Sequence, residues 1–258
     1  MRLKCAGLTD TGMCRDHNED SFLVSQTESF VVVADGMGGH QSGEVASSMA
    51  IQEIKDYYNE TINQETPIEL PDWPAGKAKP RSREERRIIC AMERANRVIN
   101  KASNEKAEYN GMGTTGVGAY FVEEGVIIAH VGDSRCYRFR DGSLKQMTED
   151  HSLANEYIRS KILKPEDLPS FPYKNVITRA IGLTESVEVE AHFYEHQDGD
   201  IYLLCSDGLS DPCKDDQIAE ILTKFGDDLP KACRELIIAA NQNGGPDNVT
   251  ALLAKVVY

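Results

Sequence analysis

The sequence lacks any long apolar run, and this absence excludes several classes of protein. No stretch of the 258 residues approaches the roughly 20 consecutive apolar residues that a transmembrane helix needs. The residues that precede the first strand-like run are too few for the apolar core of a signal peptide. The sequence therefore predicts a protein without a membrane segment, and we expect it in the cytoplasm.

Basic residues are scarce, and the cysteines show no paired spacing. Lys and Arg together number 28 against 42 acidic residues, so the net charge is −14. A nucleic-acid surface needs clustered Lys and Arg, and this composition argues against one. The seven cysteines include no CxxC pair and no zinc-finger spacing with histidine, which suits buried, reduced thiols.

Three short apolar runs end in the same way, at an aspartate beside glycine or serine. They are FVVVADG at 30–36, VIIAHVGDS at 126–134 and IYLLCSDG at 201–208, and Asp247 lies just before a further run at 249–257. Two carboxylates about 4 Å apart repel by roughly 4 kcal/mol at an effective dielectric constant near 20. The flanking sequence offers no matching basic residues. If Asp35, Asp133, Asp207 and Asp247 converge, divalent cations would have to offset their repulsion.

The candidate donors are all oxygen atoms, which indicates the kind of ion. Carboxylates, glycine carbonyls and water suit the hard cations Mg²⁺ and Mn²⁺ better than zinc. Gly36 follows Asp35 and has no side chain to block the approach of an ion to its carbonyl. Taken singly, Asp-Gly at a strand end is ordinary turn chemistry. The recurrence of the pattern favours a metal site.

Hydrophobic periodicity predicts separate blocks of strands and helices. Ser82 is placed to cap a long helix with Glu85 three residues on. Asp141-Gly142 is a strong hairpin signal inside a predicted antiparallel meander. The predicted strands cover 2–9, 20–35, 114–147 as that meander, 187–194, 200–205 and 249–257, and the predicted helices cover 43–58, 82–107, a short piece near 152–163, 215–225 and 230–241.

Hairpin-joined strands and grouped helices favour an α+β fold over a doubly wound parallel one. Two stacked, mainly antiparallel sheets with helices on both outer faces, an α-β-β-α sandwich, would bury all the apolar runs. We expect one domain over 1–258. The proline-rich stretch at 59–81 has no periodicity and is predicted to be an extended loop.

Seven motifs follow one another along the chain. They are RDHNED at 15–20, DGMGGH at 35–40, GMGTT at 111–115, VGDSR at 131–135, TRAIG at 178–182, LLCSDGLSD at 203–211 and GGPDNVT at 244–250. The same motifs occur in the same order in the metal-dependent serine/threonine protein phosphatases of type 2C, which the chain therefore resembles. The match extends from residue 2 to the last predicted strand, and the sequence after Gly36 is similar to the bacterial branch.

The resemblance implies a role for each acidic position. Asp35 resembles the ligand that bridges two metal ions, and Gly36 would contribute its carbonyl to one of them. Asp207 and Asp247 resemble the remaining ligands of the first ion. The same set agrees with the repulsion argument made from the residues alone.

Further roles follow from the other motifs. Asp20, with Glu19 beside it, would hold waters or bind directly at the second ion, and Asp133 with Asp207 resembles a weaker third site. Arg15 resembles the phosphate-binding arginine, so Arg15 and Asp35 are the implied catalytic residues. Residues 150–176 correspond to the flap beside the active site.

The implied activity is hydrolysis of phosphoserine and phosphothreonine in proteins. Two cations about 3.5–4 Å apart can share a water and aim it at phosphorus, so no phosphoenzyme is expected. The partners implied are phosphorylated substrates of a Ser/Thr kinase, and we expect a monomer. None of the seven cysteines has an arginine six residues on, which excludes the cysteine-phosphatase loop.

Two departures and two alternatives remain open. Met37 stands where the animal and plant branch has a histidine proposed as general acid. The proton donor is therefore either His40 or a metal-bound water. The 59–81 loop is longer than the usual link and is either a surface insertion or a docking arm. The alternatives are a phosphoprotein-binding pseudophosphatase and a phosphohydrolase of small esters.

Overall fold

The chain forms eleven strands and six helices within the residues that the structure describes. The structure is a computed structural model, and it describes residues 1–25, 29–39, 42–63, 82–173 and 175–258. The strands are β1 (Arg2–Asp10), β2 (Asp20–Ser25), β3 (Phe30–Met37), β4 (Gly113–Thr114), β5 (Gly116–Val122), β6 (Gly125–Val131), β7 (Arg135–Arg140), β8 (Ser143–Gln146), β9 (Glu190–Tyr194), β10 (Ile201–Cys205) and β11 (Val249–Val257). The helices are α1 (Ser42–Thr61), α2 (Arg83–Glu105), α3 (Leu153–Arg159), α4 (Asp207–Ser210), α5 (Asp215–Phe225) and α6 (Leu229–Gln242).

The strands form two antiparallel sheets. The first sheet has the order β1-β11-β10-β7-β8, and the second has the order β2-β3-β5-β6-β9, with β4 paired to β3. Helices α1 and α2 pack on the second sheet, and α5 and α6 pack on the first. The predicted α+β sandwich of two stacked sheets flanked by helices is confirmed.

Strand β3 shows why the central runs are apolar at every position. Phe30, Val32 and Ala34 face α1 and α2, whereas Val31 and Val33 face the first sheet. All five side chains are fully buried. Because side chains alternate between the faces of a sheet, a strand covered on both faces reads as a continuous apolar run. Strand β11 is divided in the same way between the two layers of the core.

The predicted cap of the long helix is present. The Ser82 hydroxyl accepts a hydrogen bond from the backbone N–H of Glu85 at 3.1 Å, and α2 begins at the next residue. A cap of this kind contributes about 1 kcal/mol to helix stability. Helix α1 runs to Thr61, three residues past its predicted end. Residues 64–81 of the predicted loop lie outside the described residues.

The prediction of a single meander over 114–147 is wrong. Strands β5 and β6 form one hairpin in the second sheet, whereas β7 and β8 form another in the first. The chain changes sheet at Gly132, whose φ of +103° is readily adopted by glycine alone. The turn at Asp141-Gly142 has φ values of +50° and +78°, as its sequence predicts.

Candidate metal centre

Five aspartates lie at strand ends on one edge of the two sheets. Asp35 near the end of β3 pairs with Asp20 at the start of β2. Asp207 begins α4 just after β10, Asp247 lies two residues before β11, and Asp133 lies two residues after β6. Because neighbouring strands are antiparallel, starts and ends of strands meet at the same edge. The convergence that the sequence predicted is therefore present in the fold.

The electrostatics show that these carboxylates face a common site. Burial raises the pKa of Asp35 well above its usual range, and the charges of the four other aspartates raise it further. Burial also raises the pKa of Asp207 to about 8, with Asp133 and Asp211 adding to the effect. Each shift means that placing another negative charge here is unfavourable.

Arg15 forms an ion pair with one of the five aspartates, which the sequence did not predict. An Arg15 nitrogen donates to Asp247 Oδ2 at 2.7 Å, although the arginine side chain is half exposed. Arg135, in the VGDSR motif, donates hydrogen bonds to both oxygens of Asp150, which is not one of the five aspartates. In the described part of the chain, no ion pair involves the other four aspartates of the edge. The expectation that no basic residue would offset the charge is wrong for Asp247, which has an ion pair, and for Asp133, whose pKa the charge of Arg135 lowers.

Two carboxylate oxygens fit a bound cation because they are buried without a hydrogen-bond donor. They are Oδ1 of Asp20 and Oδ1 of Asp133. A buried acceptor without a partner is unfavourable by about 1–3 kcal/mol, and by more when it is charged. A divalent cation is the partner that an all-oxygen donor set of this charge favours. The residues present therefore fit Mg²⁺ or Mn²⁺.

Glycines bring the backbone close to the carboxylates. A Cβ atom at Gly36 would lie 2.1 Å from the carbonyl oxygen of Gly43 and 2.6 Å from that of Glu19. A Cβ atom at Gly208, next to Asp207, would lie 1.9 Å from the carbonyl oxygen of Asn248. Neither position can hold a larger residue without moving the backbone, so glycine after each aspartate is required by packing at the site.

The loop at 15–20 is fixed to the last strand by an asparagine. The Asn248 amide oxygen accepts from the Glu19 N–H at 2.8 Å, and its nitrogen donates to the carbonyls of Thr11 and His17, both at 2.9 Å. This buried side chain thereby sets where Arg15 lies relative to the aspartates. The Glu19 carboxylate packs against Gly43 near the start of α1.

A second group of ligand-type side chains lies outside this edge. Within the described ranges, the one set of three such atoms within 4.8 Å of one another belongs to His130, His151 and Glu190. His151 Nδ1 accepts from the backbone N–H of Gly132 at 3.1 Å, so the ring proton is on Nε2, which faces Glu190 at 3.3 Å. Neutral His151 thus has no lone pair for an ion. The group is a hydrogen-bonded clasp, and within the described residues no three of the aspartates bring one oxygen each within 4.8 Å of one another.

The predicted flap borders a cavity beside the aspartates. The cavity has a volume of about 420 Å³ and is lined by Asp133 and Asp207 at one side. Asn155 of α3, Leu168 and Asn175 line it from the flap. The flap therefore lies close enough to contact a substrate bound at the carboxylates.

Some site residues escaped prediction, and one lies outside the described residues. Ser206 and Thr250 donate to Asp20, and Asn248 anchors the 15–20 loop. All three stand inside the quoted motifs beside an aspartate, and that position is the signal that could have found them. His40 lies outside the described residues.

Comparison with known proteins gives a consistent result. The family described as Protein phosphatase 2C matches residues 13–253. The chain is 38% identical over 250 residues to the serine/threonine phosphatase stp of Listeria monocytogenes, covering 96% of this chain and 93% of that protein.

Solved structures agree with the sequence match. The crystal structure of the Mycobacterium tuberculosis serine/threonine phosphatase PstP/Ppp superimposes with a TM-score of 0.85 at 32% identity, covering all of both chains. The PstP catalytic domain in complex with two manganese ions gives a TM-score of 0.81 at 33% identity, covering 100% of this chain and 99% of that one.

Proposed function

The chain belongs to the protein phosphatase 2C family and is a metal-dependent serine/threonine protein phosphatase, and from this premise we propose how its residues divide the work. The cofactor is Mg²⁺ or Mn²⁺. The observation that carries the proposal is the edge where five aspartates interact at one site, with Asp20 and Asp133 buried and one oxygen of each lacking a donor.

The aspartates divide into shared and separate ligands in this proposal. Asp35 lies centrally, since its carboxylate interacts with all four others, and it would hold both core ions together with the Gly36 carbonyl. Asp207 and Asp247 would be the remaining ligands of the first ion. Asp20, with Glu19 beside it, would hold the second ion, and Asp133 with Asp207 would hold a weaker third. Bound divalent cations would lower the pKa of the attacking water and neutralise charge on the phosphoryl group.

Arg15 positions the phosphate in this proposal. Its side chain is half exposed at the border of the aspartate site and contacts one carboxylate oxygen of Asp247. A planar guanidinium can donate two parallel hydrogen bonds to phosphate oxygens, which fixes their orientation. Because the arginine side chain is more exposed than Asp247, it can contact a phosphorylated side chain before the substrate reaches the aspartates.

Two groups are candidates for the proton donor to the leaving oxygen, His40 and a metal-bound water. Met37 ends β3 beside the aspartates, and a thioether has no proton to give. His40 lies outside the described residues. We favour a water among the ligands as the donor.

The domain organisation, the cellular location, the oligomeric state and the opposing kinase are also proposals. We infer that residues 1–258 act as one catalytic domain with the flap at 150–176, that the enzyme is a cytoplasmic monomer, and that a Ser/Thr kinase phosphorylates its substrates. No described helix combines the length and the apolar character that crossing a bilayer requires.

The two alternatives are less well supported by the residues. A pseudophosphatase would be expected to lose at least one ligand, yet every proposed position carries an acid and Arg15 is present. A phosphohydrolase of small esters would not need an open rim with a flap beside it.

The test is a metal-dependence assay on a phosphothreonine peptide. The enzyme is stripped with chelator and then assayed with Mg²⁺ or Mn²⁺ added back. We expect no phosphate release without metal and full recovery with it. Hydrolysis of p-nitrophenyl phosphate without hydrolysis of the peptide would favour the small-ester alternative. Peptide binding without turnover at any metal concentration would favour the pseudophosphatase.

A further inference from the structure

Two hydroxyl groups bind the same oxygen of Asp20 and leave the other oxygen without a donor. The hydroxyls of Ser206 and Thr250 donate to Asp20 Oδ2 at 2.7 and 2.6 Å. Asp20 Oδ1 is buried and has no hydroxyl or N–H donor, and the neighbouring Asp35 carboxyl group lies within hydrogen-bond reach of Asp20. Both hydroxyl residues are fully buried, so water does not compete for these contacts. The carboxylate is therefore held in one orientation.

The direction of each hydrogen bond in this group follows from counting protons. Thr250 has a single hydroxyl proton and gives it to Asp20, so the Thr9 hydroxyl, 2.8 Å away, must donate to Thr250. Thr9 in turn accepts from the Asn18 amide nitrogen at 2.8 Å. The Asn18 amide oxygen accepts from the backbone N–H of Asp20 at 3.0 Å, which closes the ring. Ser206 accepts from the Thr250 N–H at 3.0 Å.

We propose that Asn18, Thr9, Thr250 and Ser206 form a positioning network that holds Asp20 with Oδ1 directed to the second metal ion. This inference rests on the proposed role of Asp20 as a ligand there. Donors that all point along one chain polarise each other, and the last one strengthens its contact with the carboxylate. Partners that orient a metal ligand typically contribute 10–100-fold to metal affinity.

The network also explains the neutral residues of three motifs. Asn18 precedes the last two acids of RDHNED, Ser206 precedes Asp207, and Thr250 follows Asp247 by three positions. Thr9 and Thr250 lie opposite each other on β1 and β11 of the first sheet, whereas Asp20 begins β2 of the second. The network therefore fixes the two sheets to each other at the metal edge.

The test measures Mn²⁺ binding directly, by titration calorimetry on the metal-free protein. Thr250→Val removes the hydroxyl and keeps the shape, and Ser206→Ala removes the other donor. We expect each to weaken the binding of one ion about 10-fold and to leave the other ion unaffected. Thr250→Ser keeps the hydroxyl and should bind as the wild type does.

Two further variants separate this inference from the proposed function. Thr61→Val removes a buried hydroxyl at the end of α1, where it bonds the carbonyl of Tyr57, and should leave Mn²⁺ binding unchanged. Asp20→Asn is the reference for loss of the ligand. If it weakens binding while Thr250→Val and Ser206→Ala do not, the network is merely structural and the inference fails.

If Asp20→Asn itself binds both ions normally, the assignment of Asp20 as a ligand in the proposed function is wrong. The network then does not orient a metal ligand. Folding is checked by thermal unfolding in chelator. Should Thr250→Val fail to fold, Thr9→Val removes the preceding donor and carries the same test: weaker binding of one ion supports the network, and unchanged binding contradicts it.

Discussion

Asp207 combines burial with the charges of several neighbouring carboxylates. Burial raises its pKa to about 8, and four nearby aspartates add to the shift. Replacing this carboxylate by an amide of the same shape removes a metal ligand and also removes repulsion. The two effects act on different measurements, because the first lowers activity and the second stabilises the metal-free fold.

Asp207→Asn is therefore expected to lower kcat by at least about 100-fold, since a direct ligand should matter more than the 10–100-fold typical of orienting partners. The same variant should unfold at the same or a higher temperature in chelator. Phosphate release from a phosphothreonine peptide and thermal unfolding measure the two effects. Asp216→Asn, at the exposed start of α5, is the matched control and should change neither. Near-normal kcat in Asp207→Asn would refute the ligand assignment.

Arg15 lies half exposed at the rim, where it can bind phosphate before any bond is broken. Arg15→Ala should mainly raise KM for the phosphopeptide, because an interaction made equally in ground state and transition state affects binding rather than kcat. Steady-state kinetics measure the split. Arg15→Lys keeps the positive charge but lacks the planar guanidinium, and its KM should lie between those of the wild type and Arg15→Ala. An unchanged KM in Arg15→Ala would move the phosphate-binding role to another residue.

At the scale of elements, α1 and α2 are joined by direct contacts as well as by the chain between them. The buried Arg87 of α2 donates to the carbonyl of Thr61 at the end of α1, at 3.2 Å. Phe30 stacks on Tyr58 of α1 with ring centroids 4.2 Å apart, which fastens this helix to β3. These contacts between described residues therefore hold the pair of helices together on the second sheet. Residues 64–81 lie outside the described residues.

Deletion of residues 62–79 should accordingly leave peptide hydrolysis intact. Loop length changes stability only slowly, by about 0.6 kcal/mol for each doubling. Activity of the deletion variant on a phosphothreonine peptide measures this, with thermal unfolding to show that the helices still pack. A large loss of kcat in a folded variant would make the segment part of the site. Unchanged peptide activity with loss of activity on a whole phosphoprotein would indicate a docking arm.

The clasp of His130, His151 and Glu190 ties the start of the flap to the second sheet. His130 donates to the carbonyl of Glu149 at 2.8 Å, and its ring stacks on that of His151. Burial lowers the pKa of His130 to about 4, so this histidine is neutral at physiological pH. The first residues of the flap are thus held in place next to the ion pair of Asp150 and Arg135.

At the scale of the whole molecule, the acidic edge makes the stability of the metal-free protein depend on pH. The pKa of Asp207 rises from 3.8 to about 8 on folding, and those of Asp20 and Asp133 rise to about 6, in each case mainly through burial. Between the unfolded and folded values the folded state holds protons that the unfolded state has lost. The free energy of unfolding must therefore fall as pH rises through this window.

We therefore expect the unfolding temperature in chelator to fall between about pH 5 and pH 8. Excess Mn²⁺ should reverse the slope, because metal binding requires ionised carboxylates and strengthens as pH rises. Differential scanning calorimetry across this range measures both curves. Asp207→Asn should flatten the curve in chelator. A metal-free protein that gains stability toward pH 8 would contradict the assigned burial of these acids.

Much of the architecture could be predicted because its causes are local. Apolar runs, Ser82 as a cap and the Asp141-Gly142 turn each act within a few residues, so most elements end within three residues of their predicted bounds. The exceptions are the predicted strand at 20–35, which forms the two strands β2 and β3, and the predicted helix near 152–163, which ends at Arg159. The identity and order of the acids likewise indicated a metal centre. The crossing between sheets at Gly132 was missed because a single glycine shows that the chain can turn there, and not which sheet it joins.

The sequence by itself determined the elements, the family and the acidic character of the site. The tertiary structure alone decided which oxygen of Asp20 is bound, that Arg15 reaches Asp247, and that Asn248 anchors the 15–20 loop. These contacts join residues more than 180 positions apart. Their geometry depends on how two sheets stack, and packing of that kind is set by the shapes of many side chains together rather than by any local pattern.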